Sequence, residues 1–225
     1  MVKIITPEKT LHDNESIAKK NRNIINENGI IMINLIGGPG AGKTTLLEKT
    51  LRLLNDKFNV AVINGDPYTS YDAEKLAATG VVDVVQINTQ NNCCLSAGMV
   101  ARAIEQLPLE QLDLIIIENV GNILCTVDVD LGENFRLLAV SVTEGMHGPE
   151  KYPLAFRNAF AVAITKTDLL PHVNFNLGAY ISQLMQLNSN LKIFPVSAEK
   201  DEGTEDWSQL IGRMLWKGRR FINVN

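Results

Sequence analysis

The apolar residues of this chain fall into short, nearly continuous runs separated by polar punctuation. The runs are Ile30–Ile36, Asn59–Asn64, Val81–Ile87, Leu112–Ile117, Phe135–Val142, Phe160–Ile164 and Ile193–Val196. Runs this short and this rich in Ile, Val and Leu predict strands covered on both faces, as in parallel sheets. Helical spacing occupies several intervals between them. The segment after the first strand is predicted helical to about Leu54, with Asn55-Asp56-Lys57 as its turn. Further helices are expected over Ala73–Thr79, Leu95–Leu107 and Glu205–Trp216. The last places Trp207, Leu210, Ile211, Met214 and Leu215 on one apolar stripe, which reads as core. Residues 1–29 are polar and charged, but Leu11, Ile17, Ala18, Ile24 and Ile25 recur near helical spacing. Asp13 or Asn14 offers an N-cap and Asn28-Gly29 a stop, so a leading helix packed on the domain is expected. Strands alternating with helices predict an α/β fold with a doubly wound, mostly parallel sheet. No linker, composition break or repeat divides the chain, so residues 1–225 read as one domain with residues 1–29 as a leading helical segment.

Composition narrows the function classes. The chain is 45% hydrophobic and 20% charged, with a net charge of −4 and no basic block, so nucleic acid is not an expected partner. No apolar run approaches membrane-spanning length, and the first residues lack the apolar core of a signal peptide, which sets the expectation of a cytoplasmic protein without a membrane partner. Three cysteines cannot all pair within one chain, and in a reducing compartment they read as thiols or metal ligands.

The chemistry centres on Gly37-Gly38-Pro39-Gly40-Ala41-Gly42-Lys43-Thr44, between the first strand and its helix. This is a complete P-loop, G-x-x-x-x-G-K-[ST], in the strand–loop–helix setting the motif requires. Backbone N–H groups of Gly38, Gly40, Ala41, Gly42, Lys43, Thr44 and Thr45, aided by the helix dipole, would cradle phosphate oxygens. Lys43 would neutralise β- and γ-phosphate charge, and the Thr44 hydroxyl would ligate Mg²⁺. Asp66 and Glu118 each end a strand on the expected ligand edge of the sheet and are candidates for holding Mg²⁺ or positioning water. Asp66 also reads as a turn-capping residue. Pro67 to Asp72 and the loop reaching Gly121 are switch candidates.

Thr165-Lys166-Thr167-Asp168 resembles the guanine-recognition motif N-K-x-D of GTPases, with Thr in place of Asn. The Asp168 carboxylate would accept from guanine N1–H and the exocyclic amine, with the Lys166 stem over the base. Ser197-Ala198-Glu199 resembles the loop that backs guanine in the same proteins. Cys93 and Cys94 precede a predicted helix, where the dipole would favour thiolate, and Cys125 follows Glu118-Asn119-Val120-Gly121.

Taken with Gly65-Asp66, Gln86-Ile87-Asn88-Thr89, Ser141-Val142-Thr143-Glu144-Gly145, Lys151-Tyr152-Pro153 and Lys166-Thr167-Asp168-Leu169-Leu170-Pro171, these blocks resemble the HypB GTPases, which help deliver nickel to [NiFe]-hydrogenase. The resemblance covers nearly the whole chain. The Cys-Pro-His motif of the related UreG GTPases is not found. Where that family usually has Cys-His, this chain has Cys93-Cys94, and Gly98 stands where some relatives carry a further His. The resemblance implies a P-loop NTPase of the SIMIBI kind, a Mg²⁺-dependent GTPase, and Ni²⁺ or Zn²⁺ on Cys93, Cys94 and Cys125. It also implies a GTP-promoted homodimer acting with a metalloenzyme precursor and other maturation factors. A divergent paralogue serving another metalloenzyme, a P-loop small-molecule kinase, and a metal-storage module with vestigial hydrolysis are the alternative readings.

Overall fold

The computed structural model describes residues 3–5, 14–90 and 92–222. In chain order the first elements are β1 (Lys3–Ile5), α1 (Asn14–Glu27), β2 (Ile31–Gly37), α2 (Lys43–Leu54), β3 (Val60–Asp66), α3 (Tyr71–Ala77), β4 (Asp83–Asn88) and α4 (Ala97–Ile104). They are followed by β5 (Leu114–Glu118), α5 (Ile123–Thr126), β6 (Phe135–Ser141), α6 (Gly148–Lys151), α7 (Pro153–Asn158), β7 (Ala161–Thr165), α8 (Leu177–Leu187), β8 (Lys192–Pro195) and α9 (Thr204–Ile222). The strands form one eight-stranded sheet in the order β1-β4-β3-β5-β2-β6-β7-β8. Every pairing in it is parallel.

Side-chain alternation divides the core between the two faces of this sheet. From β2, Ile33 and Leu35 join the cluster under α2 and α9, where Trp207 is fully buried. Met32 faces the other side, with Ile25 of α1 and Val100 of α4. Ile36 points to that same side but toward the far end of the sheet, among Phe156 of α7 and Tyr180 of α8. Strands buried on both faces account for the continuous apolar runs in the sequence.

The order places β2, the strand that feeds the P-loop, between β5 and β6. All strands being parallel, the carboxyl ends of β2, β3, β5 and β7 open on one edge, where ligands bind in open α/β sheets.

Two expectations are corrected. The leading segment is not helical alone: Lys3–Ile5 forms an edge strand in register with Val85, Gln86 and Ile87 of β4. Lys3 also pairs with Asp83 and donates to the Gln106 carbonyl at 2.7 Å. Three residues are too few to show a period, and the partners lie some eighty residues along the chain. The second concerns α4, which begins at Ala97 rather than Leu95, because Ser96 caps it by accepting from Met99 N at 3.3 Å. Leu11 and Asp13, expected at the start of the leading helix, lie outside the described residues. Among the described residues no helix is long and apolar enough to cross a membrane.

Candidate functional site

The ligand edge carries a cleft of about 540 Å³ lined by the P-loop, the ends of β3 and β5, and Lys166. Gly42, the last loop residue before α2, has φ 81°, a left-handed conformation open to glycine at little cost. Lys43 is buried and its Nζ donates to the carbonyls of Gly37 and Gly38 at 3.3 and 3.2 Å, so the ammonium is folded over the loop. Burial holds its pKa below the ordinary lysine value, against the opposing pull of Glu118, Glu144 and Asp72.

Thr44 Oγ1 donates to Glu118 Oε1 at 2.6 Å. Glu118 is 3% exposed, and its Oε2 is buried with no hydrogen-bond partner among the described residues. Burial pushes its carboxyl up to about 7, although the Thr44 hydrogen bond and Lys43 act in the opposite direction. A buried, half-unpartnered carboxylate touching a threonine hydroxyl beside a lysine is a donor set suited to a hard divalent cation.

Asp66 reaches the same cleft, but its Oδ1 accepts from Tyr68 N at 2.9 Å, Thr69 N at 2.6 Å and Thr69 Oγ1 at 3.1 Å. Asp66 thus caps the turn that follows β3 while lining the cleft. After Glu118 the chain runs close beneath the P-loop: a Cβ on Gly121 would lie 3.1 Å from Pro39 Cα. Thr45 and Gly40 line the cleft, while Ala41 is buried beneath it and Gly38 faces the neighbouring Glu144 carboxylate.

Around the motif at the end of β7, Lys166 adopts φ 58° and lines the cleft. Asp168 Oδ1 accepts from Ser197 Oγ at 2.6 Å, and this bond holds its carboxyl below the usual carboxylate range. Ser197 is fixed in turn by a reciprocal pair of main-chain bonds with Glu202, at 2.9 and 3.0 Å, and Ala198 follows it half-buried. Thr165 does not face outward toward a base. Its buried hydroxyl donates to Ala41 O at 2.6 Å and approaches Val140 O at 3.2 Å, tying β7 to the P-loop. The motif alone places Thr165 where GTPases carry Asn, and no periodicity could have shown the P-loop carbonyl it meets.

Cys93 is exposed, and Cys94 and Cys125 are half-buried. Cys93 lies close enough to both of the others to affect their ionisation. Cys125 Sγ accepts from Asn122 Nδ2 at 3.2 Å, and Asn122 Oδ1 accepts from Cys125 N at 3.1 Å. The expected dipole-stabilised thiolate is not found. Burial, and then Cys93, push the Cys94 thiol up to about 11, and hydrogen bonding with Cys93 also raises Cys125. Cys93 and Cys94 precede the cap of α4 instead of standing in its first turn, where Met99 N donates to Ser96 Oγ and Ala97 N to Asn14 Oδ1. Among the described residues no three His, Cys, Asp or Glu side chains are arranged to hold a metal within one chain.

Residues 31–195 match the family described as the CobW/HypB/UreG nucleotide-binding domain. The hydrogenase maturation factor HypB of Azotobacter chroococcum is 44% identical over 205 residues, covering 90% of this chain and 66% of its own length. That of Rhizobium leguminosarum is 41% identical over 204 residues, with 90% and 68% covered. The chain belongs to the HypB family. It thus spans about two-thirds of the length of those two bacterial HypB proteins. Among solved structures, HypB from Helicobacter pylori in complex with nickel superposes with a TM-score of 0.84 at 33% identity, covering 91% of this chain and 95% of that one. HypB from Archaeoglobus fulgidus gives a TM-score of 0.83 at 33% identity, with 90% and 98% covered.

Proposed function

We propose that this chain is a GTP-binding, GTP-hydrolysing metallochaperone that assists nickel insertion during [NiFe]-hydrogenase maturation. The observation that carries the proposal is the shared scaffold of its two candidate sites. The segment from Glu118 to Cys125 lines the phosphate cleft at one end and presents a thiol at the other. Relatives named as hydrogenase maturation factors, and one crystallised with nickel, favour this reading over a kinase or storage module.

In this reading the P-loop N–H groups and Lys43 bind the triphosphate, and Lys43 exchanges its loop carbonyls for phosphate oxygens. Asp168, pre-set by Ser197, selects guanine, and Thr165 keeps the P-loop and the base-binding loop in register. Thr44, Glu118 and Asp66 are the residues that would hold Mg²⁺, which supplies charge neutralisation on the phosphates. Cys93, Cys94 and Cys125 take Ni²⁺ or Zn²⁺ as cargo. The three thiols are one short of a tetrahedral set and are not arranged as a metal site within one chain, so the metal is expected at a two-fold contact between copies, favoured by GTP. The partners are a metalloenzyme precursor and its other maturation factors, in the cytoplasm, with residues 1–225 acting as one GTPase domain.

The deciding experiment measures GTP and ATP turnover side by side with Mg²⁺, with and without Ni²⁺. GTP turnover well above ATP turnover, altered by Ni²⁺, is expected. Equal turnover of the two nucleotides would reject the guanine assignment, and indifference to Ni²⁺ would reject the metallochaperone assignment.

A further inference from the structure

The loop carrying Cys93 and Cys94 is held at both ends by residues of the cleft. At its start, Thr89 N donates to Asp66 O and Gln90 N to Pro67 O, both at 2.9 Å, and Gln90 adopts φ 55° to do so. At its far end, Leu95 N donates to Asn119 Oδ1 at 3.3 Å. Leu95 is fully buried, and its side chain lies against the Gly65 backbone, 3.0 Å from where a Cβ would stand. The residue directly after Cys94 is thus wedged between the ends of β3 and β5.

Asn119 is 1% exposed and makes bonds in three directions. Its main-chain N–H donates to Leu35 O at 3.0 Å, continuing the β5–β2 ladder. Its Nδ2 donates to Asn34 Oδ1 at 3.2 Å. Its Oδ1 is shared between two N–H groups, Val120 at 2.9 Å and Leu95 at 3.3 Å. The first belongs to the cleft-lining segment that ends at Gly121, and the second belongs to the cysteine loop. One acceptor oxygen serving two donors ties them together, because a rotation of the Asn119 side chain moves the acceptor of both bonds at once. The ladder fixes the main chain at Asn119, so a displacement of Val120 would reach Asn119 as a side-chain change.

We propose that Asn119 is the positioning residue that transmits nucleotide state to the cysteine loop, through its side-chain bond to the Leu95 main chain. The proposal rests on the nucleotide and metal reading given above and assigns the coupling to one residue. Asn119 itself ligates neither metal nor phosphate in this scheme. Alanine there removes the shared acceptor and leaves two buried N–H groups without a partner.

The test titrates Ni²⁺ into the full chain against a competing chelator, once with Mg-GDP and once with a Mg-bound non-hydrolysable GTP analogue. In the unsubstituted chain the two Ni²⁺ dissociation constants are expected to differ by a factor in the roughly 5–150-fold range of coupled sites. In Asn119→Ala the ratio is expected to fall within about twofold of unity. A purely structural role would lower stability and leave the ratio intact, and an intact ratio overturns the proposal while the metallochaperone reading stands. A chain that binds neither the GTP analogue nor Ni²⁺ overturns that reading and the proposal with it. If Asn119→Ala does not fold, the amide resonance of Leu95 in the metal-free, unsubstituted chain decides. Its shift and exchange protection are expected to change between the GDP and GTP-analogue states, and an unchanged Leu95 amide overturns the proposal.

Discussion

Replacing Glu118 by glutamine should remove the pH dependence that this one carboxyl imposes on the apo chain. The side chain is wholly buried, and burial raises it from the ordinary 4.5 to about 7. Its folded-state pKa therefore lies above its unfolded value. Below about pH 4.5 the group is neutral in both states and costs folding nothing. As pH rises from there to about 7, the unfolded chain releases the proton while the folded chain keeps it, and stability falls. At 1.36 kcal/mol per pH unit, the loss between about pH 5 and about pH 8 is about 2.5 kcal/mol. Glutamine keeps an acceptor for Thr44 Oγ1, and its amide nitrogen replaces an oxygen that already lacks a partner. That amide carries its own penalty of about 1–3 kcal/mol, but the penalty does not vary with pH and cancels from the comparison. The assay is urea unfolding of both proteins across this range, free of nucleotide and divalent cations. The stability of Glu118→Gln minus that of the unsubstituted chain should rise by about 2.5 kcal/mol from the acid to the alkaline end. Parallel pH profiles, or a difference of opposite sign, would refute the picture of a carboxyl held in an unfavourable burial.

Lys43→Ala should abolish triphosphate binding and Thr44→Ala should remove its Mg²⁺ dependence, both read by calorimetric titration. Asp168→Asn should weaken GTP and improve xanthosine triphosphate, measured by nucleotide competition. Thr165→Val leaves the Ala41 carbonyl without its side-chain donor, and thermal unfolding should report a loss of about 1–3 kcal/mol together with weaker nucleotide binding. The double variant Cys93→Ala/Cys125→Ala should lose metal and keep nucleotide, and light scattering with metal quantified in each fraction should show GTP and metal together favouring dimer.

Much of the fold was legible because a covered parallel strand needs a nearly continuous apolar run, and seven of the eight strands have one. Strand β1 lacked it, since its order comes from pairing with β4 rather than from its own pattern. The P-loop was legible because its backbone chemistry fixes residue types at set spacings, and the Thr165-Lys166-Thr167-Asp168 block stood out for its place at the end of a strand. What stayed hidden were contacts between residues far apart in sequence: Thr165 with Ala41, and Asn119 with Leu95. The same holds for the bond that Asn34 Nδ2 of β2 donates to Glu133 Oε1 at 3.2 Å, a carboxylate that Arg136 also binds from three residues away. The thiol ionisation was misjudged because proximity to a helix start in sequence does not place a group in the helix's field. Ser96 already occupies that position.

The two borders of the sheet bear on how the chain avoids unwanted association. Border strands offer unpaired main-chain groups to any extended neighbour and are a common route to aggregation. Here one border is only three residues long, and it carries Lys3 at its start. The other, β8, is four residues long and ends in Pro195, which has no N–H to offer. On that border Lys192 lies over the Phe160 ring at 3.8 Å, setting a cation beside the last ladder. Extension of the sheet by further strands is therefore disfavoured on both sides, which leaves association to the helical faces and loops rather than to the strand margins.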